Sequence, residues 1–180
     1  MHYKVVKYLN NPILERPADP VTQFDTPELR QFVADMFETM YASHGVGLAA
    51  PQVDVPWRLT VIDITGGEKD EDGREKEPRE QIVLINPEVI AKEGKQTGEE
   101  GCLSIPGFRE QVTRAKKTTV RAQDVKGEWF EITGEDLLAR AMLHEIDHLN
   151  GILFLKHLSA LKRDLIKRKI KKLIKAGEWD

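Results

Sequence analysis

The sequence predicts an α+β fold, and three observations carry that expectation. One amphipathic helix comes first, several short β-branched runs follow, and two helical segments close the chain. Strands and helices do not alternate regularly, which argues against a doubly wound parallel sheet. The 180 residues, 40% of them apolar, suit one domain spanning residues 1–180 with a sizeable core.

In chain order, Thr26-Pro27-Glu28 opens the first helix. Thr26 suits the N-cap, Pro27 suits the first turn, and Leu29, Phe32, Val33, Met36 and Met40 recur at helical spacing. The helix should end near Ser43, before Gly45 and Gly47. Residues 58–64 read as a strand, and residues 65–80, Gly-rich and charged, as a solvated excursion. Ile82-Val83-Leu84-Ile85 resumes strand character, with Asn86-Pro87 expected to close it. Residues 118–122 and 129–132 flank Asp124-Val125-Lys126-Gly127 as a hairpin. Residues 135–149 read as a helix with Leu137, Leu138, Ala141, Met142 and Leu149 on its apolar side. A last helix is expected from about 159 to 175. Its stripe of Leu158, Leu161, Leu165, Ile166, Ile170, Leu173 and Ile174 should pack on the body.

Composition narrows the function classes. No apolar run reaches 18 residues, so no membrane span is expected. The N-terminal stretch lacks the features of a secretory signal, which makes the cytoplasm the expected location. The single cysteine, Cys102, cannot pair within the chain and reads as a buried, catalytic or metal-binding thiol. The net charge of −3 hides an asymmetry: residues 156–175 carry nine Lys/Arg against one acid, while residues 1–155 carry about −9. Such a basic segment is either a solvated helix face or a contact for nucleic acid.

The chemistry is concentrated in His144-Glu145-Ile146-Asp147-His148, an H-E-x-x-H pentapeptide on a predicted helix. Histidines at i and i+4 share a face and can converge on one metal ion, with Glu145 near enough to reach a water there. A hydrolytic site needs a third protein ligand. Gly151 falls where one zinc-peptidase class has its glycine, but Phe154 stands where that class has its third histidine. The acids after His148, namely Asp164, Glu178 and Asp180, are poorly placed. His2 is terminal, His157 reads as a surface residue, and His44, beside the glycine loop, could contribute. Cys102 offers a thiolate suited to Zn²⁺ or Fe²⁺, and is preferred to a purely structural cysteine because no other strong third ligand exists. A zinc endopeptidase and a structural-metal binding module are the rival readings. The first lacks its downstream ligand, and the second would need a fourth ligand and leaves Glu145 unexplained.

Three ordered segments, Gly45-Val46-Gly47-Leu48-Ala49-Ala50-Pro51-Gln52, Glu100-Gly101-Cys102-Leu103-Ser104 and His144-Glu145-Ile146-Asp147-His148, resemble the signature motifs of the peptide deformylase family. The likeness extends into Pro12-Ile13-Leu14, Ile85-Asn86-Pro87 and Asp147-His148-Leu149-Asn150-Gly151, so it covers nearly the whole chain. The resemblance implies antiparallel sheets packed around a central helix carrying the pentapeptide, plus a C-terminal helix. It implies one divalent ion, Fe²⁺ with Zn²⁺, Ni²⁺ or Co²⁺ able to substitute, held by Cys102, His144 and His148. It implies Glu145 as general acid/base, and Gln52 and the Leu103 N–H as donors to a developing oxyanion. Gly45, Val46 and Gly47 would lie along the substrate, with Arg109 near its path. The implied reaction removes the formyl group from formyl-Met nascent polypeptides and releases formate. The Met side chain is expected against Val46, Leu103, Leu137 and Ala141. A monomer is expected, with the basic C-terminal helix as a contact for the ribosome. One departure is Leu143, where many members carry Gln before the first histidine.

Overall fold

A computed structural model of the chain describes residues 1–66, 71–74 and 80–180. The first helix, α1, spans Pro27–Ala42. Thr26 caps it by accepting from the Leu29 N–H at 3.1 Å, and Pro27 occupies the first turn, where a missing N–H does no harm. Its expected face is buried, with Met36 and Met40 fully enclosed.

Five strands form one antiparallel sheet in the order β1 (Gly47–Ala49), β2 (Leu59–Ile62), β3 (Ile82–Glu93), β6 (Lys117–Gln123) and β7 (Trp129–Glu135). A separate two-stranded ladder pairs β4 (Gln96–Gly101) with β5 (Arg109–Arg114). The excursion expected over residues 65–80 falls largely outside the described residues.

Two expectations change here. Asn86-Pro87 does not end its strand. The β3–β6 register slips by one residue between Ile85 and Glu88, so Pro87 sits at a bulge, where a proline is tolerated within a sheet. Asn86 takes a positive φ of 51°, and its side chain binds both backbone groups of Val21 (2.9 Å each) and Gln123 Oε1 (2.8 Å). The β4–β5 ladder had no expectation at all, because Gln96-Thr97-Gly98-Glu99-Glu100-Gly101 carries no apolar alternation. The hairpin of β6 and β7 forms as expected: Asp124 Oδ1 accepts from the Lys126 and Glu128 N–H groups, and Gly127 supplies a φ of +83°.

The pentapeptide lies on α2, Leu137–Leu149, which packs on β1, β2, β6 and β7. It starts two residues later than the pattern suggested, because Asp136 adopts φ +53° and turns the chain out of β7. Met142 and Ile146 join Ile62, Leu84 and Val120 in the core between helix and sheet. The C-terminal helix α3 spans Ala160–Lys175, with Ser159 accepting from the Lys162 N–H at 3.2 Å. Its stripe only partly docks. Ile166 and Ile170 are buried, but Leu161 (71% exposed), Leu165 (45%) and Ile174 (39%) face outward, correcting the expectation that the whole stripe packs on the body. Trp179 anchors the end: its Nε1–H donates to the Tyr8 carbonyl at 2.7 Å, and its own carbonyl accepts from Asn10 Nδ2.

Candidate active site

The helical repeat sets His144 and His148 on one buried face of α2. Cys102 follows β4, which its ladder with β5 brings over that face. His144 Nε2 and His148 Nε2 lie 3.2 Å apart, and Cys102 Sγ lies 3.4 Å from His148 Nε2. One ligand atom from each of the three residues falls within 4.8 Å of the others, and among the described residues no other such group of His, Cys, Asp and Glu forms. A thiol and two imidazoles this close together fit a Zn²⁺- or Fe²⁺-class ion. His44 lines the same cavity but does not join the group, so the alternative third ligand drops away.

Around the ligands lies a buried ionic cluster. Glu100 Oε1 accepts from His144 Nδ1 at 2.7 Å and from Arg114 Nη2 at 2.9 Å, and Oε2 accepts from Arg114 Nε at 2.7 Å and Arg140 Nη1 at 2.6 Å. Burial opposes ionisation of Glu100, but Arg114 and His144 outweigh it and hold the carboxyl well below its usual range. Arg114 also reaches Asp147, and Asp147 accepts from His157 at 2.8 Å. His157 is exposed, as expected, yet tied into this network. Burial and the neighbouring His144 keep the His148 pKa low, the neutral state a metal ligand needs. For His144 burial again opposes the charge, but Cys102, Glu100 and Glu145 push its pKa up to about 10, a proton that a cation on the same atoms would replace.

Glu145 is buried beside the ligands, and burial pushes its pKa up to about 7. Thr60 Oγ1 lies 3.3 Å from Glu145 Oε2 and 2.9 Å from the Leu48 carbonyl. Gly47 explains itself here. A Cβ at that position would stand 2.7 Å from Glu145 Oε1, so only a bare backbone lets the carboxylate lie where it does.

Gln52 is held by its own turn: its Oε1 accepts from the Ala49 N–H at 3.0 Å. Its Nε2 then points to Ser104 Oγ (3.1 Å) and Cys102 Sγ (3.5 Å). Cys102 and His144 open onto a cavity of about 690 Å³ that also takes in Gly45, Val46, Gly47, Leu103 and Arg109. Leu137 and Ala141 line it from α2, and Leu137 is half exposed there, not packed in the core. Arg109 is exposed and paired with Glu99 at 2.8 Å. Every residue expected at the site lines this cavity except His148, which is buried against Cys102 and His144. What sequence reasoning did not find is the supporting set of Thr60, Arg114 and Arg140. A charged or hydroxyl side chain reads as solvated by default, and nothing local marks these as buried.

A family model described as polypeptide deformylase matches residues 3–164. A peptide deformylase of Acidobacterium capsulatum is 57% identical over 175 residues, 97% of each chain. Among solved structures, a peptide deformylase from Legionella pneumophila is 46% identical with a TM-score of 0.85, covering 100% of this chain and 99% of that one. The Thermus thermophilus peptide deformylase is 37% identical with a TM-score of 0.82, covering 96% of this chain and 95% of that one. The match runs through all three motifs that meet at the cavity, and with it the endopeptidase and binding-module readings fall away. The chain belongs to the polypeptide deformylase family, metalloenzymes that hydrolyse the formyl group from the N-terminus of polypeptides.

Proposed function

We propose that Cys102, His144 and His148 hold one divalent cation and that Glu145 moves the proton in hydrolysis of a formyl-Met N-terminus. The observation that carries this reading is the convergence of those three ligand atoms within 4.8 Å, with the Glu145 carboxyl buried beside them. The donor set suits Fe²⁺, with Zn²⁺, Ni²⁺ or Co²⁺ able to substitute. Such an ion, when bound, polarises a carbonyl oxygen and makes a water more acidic.

The chain's own groups do the rest. Glu145 accepts the proton of the attacking water and returns it to the nitrogen of the leaving amine as the C–N bond breaks and formate departs. Gln52 Nε2 and the Leu103 N–H donate to the former formyl oxygen, where negative charge collects in the transition state. The Gly45-Val46-Gly47 backbone lies along the peptide, and Arg109 stands at the open end of its path. Val46, Leu103, Leu137 and Ala141 give the Met side chain an apolar wall.

A metal-controlled, anaerobic assay on a formyl-Met peptide tests this reading. Wild type should bind one cation per chain and release formate, and Cys102→Ala should lose both. Stoichiometric metal in Cys102→Ala with unchanged affinity would move the third ligand elsewhere.

A second contact is supported by α3. Its Lys and Arg side chains, together with exposed Leu161 and Leu165, form a basic, partly apolar face suited to ribosomal RNA. Binding to ribosomes should weaken with salt and drop when Lys167, Lys171 and Lys175 are reversed in charge. Unchanged binding of that triple variant would end the idea.

A further inference from the structure

Arg140 is buried on α2, and no step above uses it. It stands one helical turn before His144, so the two side chains share a face. Its Nη1 donates to Glu100 Oε2 at 2.6 Å and to the Val112 carbonyl at 3.0 Å. Its Nη2 is buried and has no hydrogen-bond partner. Across the ladder, Val112 pairs with Gly98, and a Cβ on Gly98 would stand 3.1 Å from Nη2 and 3.5 Å from Cζ. Gly98 does not take a positive φ, so the room it leaves for the guanidinium is what accounts for glycine there.

Burying an N–H without an acceptor is destabilising, and a leucine at 140 would fill the gap between α2 and the ladder without that penalty. The bonded half of the guanidinium must therefore account for Arg140. Four N–H donors meet the Glu100 carboxylate: two from Arg114, one from Arg140 and one from His144. Guanidinium groups only donate, so the carboxylate only accepts, and His144 must donate through Nδ1. That leaves His144 Nε2 turned toward Cys102 and His148.

The geometry points to Arg140 as a positioning residue: seated on Gly98, it donates to Glu100 Oε2 beside Arg114 Nε, helps to fix the carboxylate and so holds His144 with Nε2 toward the cation. This rests on the reading of His144 as a metal ligand. His148 offers a contrast, since its Nδ1 is buried with no partner. Orientation by hydrogen bonding falls on His144 alone of the two.

The sign of the effect separates positioning from charge. A guanidinium repels a dication, so if charge were all that Arg140 contributed, removing it would tighten the metal. If it positions His144, removing it loosens the metal. The experiment measures Zn²⁺ affinity by chelator competition in wild type, Arg140→Leu, Arg140→Lys and Gly98→Ala. Arg140→Leu should bind roughly tenfold more weakly, the low end for residues that orient a metal-bound histidine. Arg140→Lys should recover part of the loss. Gly98→Ala keeps every charge and crowds Nη2 at 3.1 Å, so the guanidinium must shift by a few tenths of an ångström and binding should weaken in the same direction, by less. Zn²⁺ held by Arg140→Leu as tightly as by wild type, or more tightly, overturns the inference. Should Arg140→Leu fail to fold, Gly98→Ala decides on the same criterion. A wild-type chain that binds no Zn²⁺ would bring down the metal reading and this inference together.

Discussion

The helices α2 and α3 are both amphipathic, yet they use their polar residues in opposite ways. In α2 four of the polar residues are themselves buried: Arg140, His144, Glu145 and His148 all lie inside, each against a named partner or ligand neighbour. In α3 only Ile166 and Ile170 are buried, and the charges are exposed or half-buried, with Lys162 paired to Glu110 at the surface. The difference follows from what covers each helix. α2 has the five-stranded sheet on one side and the β4–β5 ladder on the other, so its polar face is enclosed and its groups are held by partners, Arg140 Nη2 and His148 Nδ1 excepted. α3 has the body on one side only. A charge on α3 is therefore replaceable, whereas a charge on α2 belongs to a network in which removing one member strands another.

Breaking the enclosed helix should give the largest effects. Glu145→Gln keeps the shape beside the ligands but cannot accept a proton, so turnover should fall by about 10²–10⁴ while metal stoichiometry holds. Near-normal turnover would take Glu145 out of the mechanism. Arg114→Met removes two N–H donors from Glu100 and one from Asp147, and should destabilise the fold by about 3–5 kcal/mol in denaturant unfolding. A loss below about 1 kcal/mol, the value of an exposed pair, would mean that the cluster is better hydrated than its burial indicates.

The two faces of α3 sharpen the contrast within one helix. Ile170→Ala opens a cavity at a fully buried position and should cost about 2–5 kcal/mol with kcat unchanged. Thr60→Val, back beneath α2, removes one hydroxyl from Glu145. It should lower kcat roughly tenfold, since a hydrogen bond to a charged group is worth about 1.5 kcal/mol. The smallest effect belongs to Leu161→Ala, which should change stability by no more than about 0.5 kcal/mol. A large loss there would show that the outward half of the α3 stripe is covered.

Much of the molecule could be read along the chain. The cap and face of α1, the β6–β7 hairpin and the pairing of His144 with His148 are short-range matters, set by residues within a turn or two of each other. The motifs carrying Gln52, Cys102 and Glu145 were legible for the same reason, since each is compact. What the tertiary structure alone decided is long-range. The β4–β5 ladder has no apolar alternation to announce it, and it is that ladder which sets Cys102 over a helix face more than 40 residues further on. The bulge that carries β3 through Pro87 depends on Asn86 meeting Val21, 65 residues away. Periodicity marks Leu161 and Ile170 as one stripe, but only the position of the body determines which of them is buried. Arg114 and Arg140 look like surface residues in the sequence. They become supports of a metal site because folding encloses them, and an enclosed charge must find a partner that local sequence does not specify.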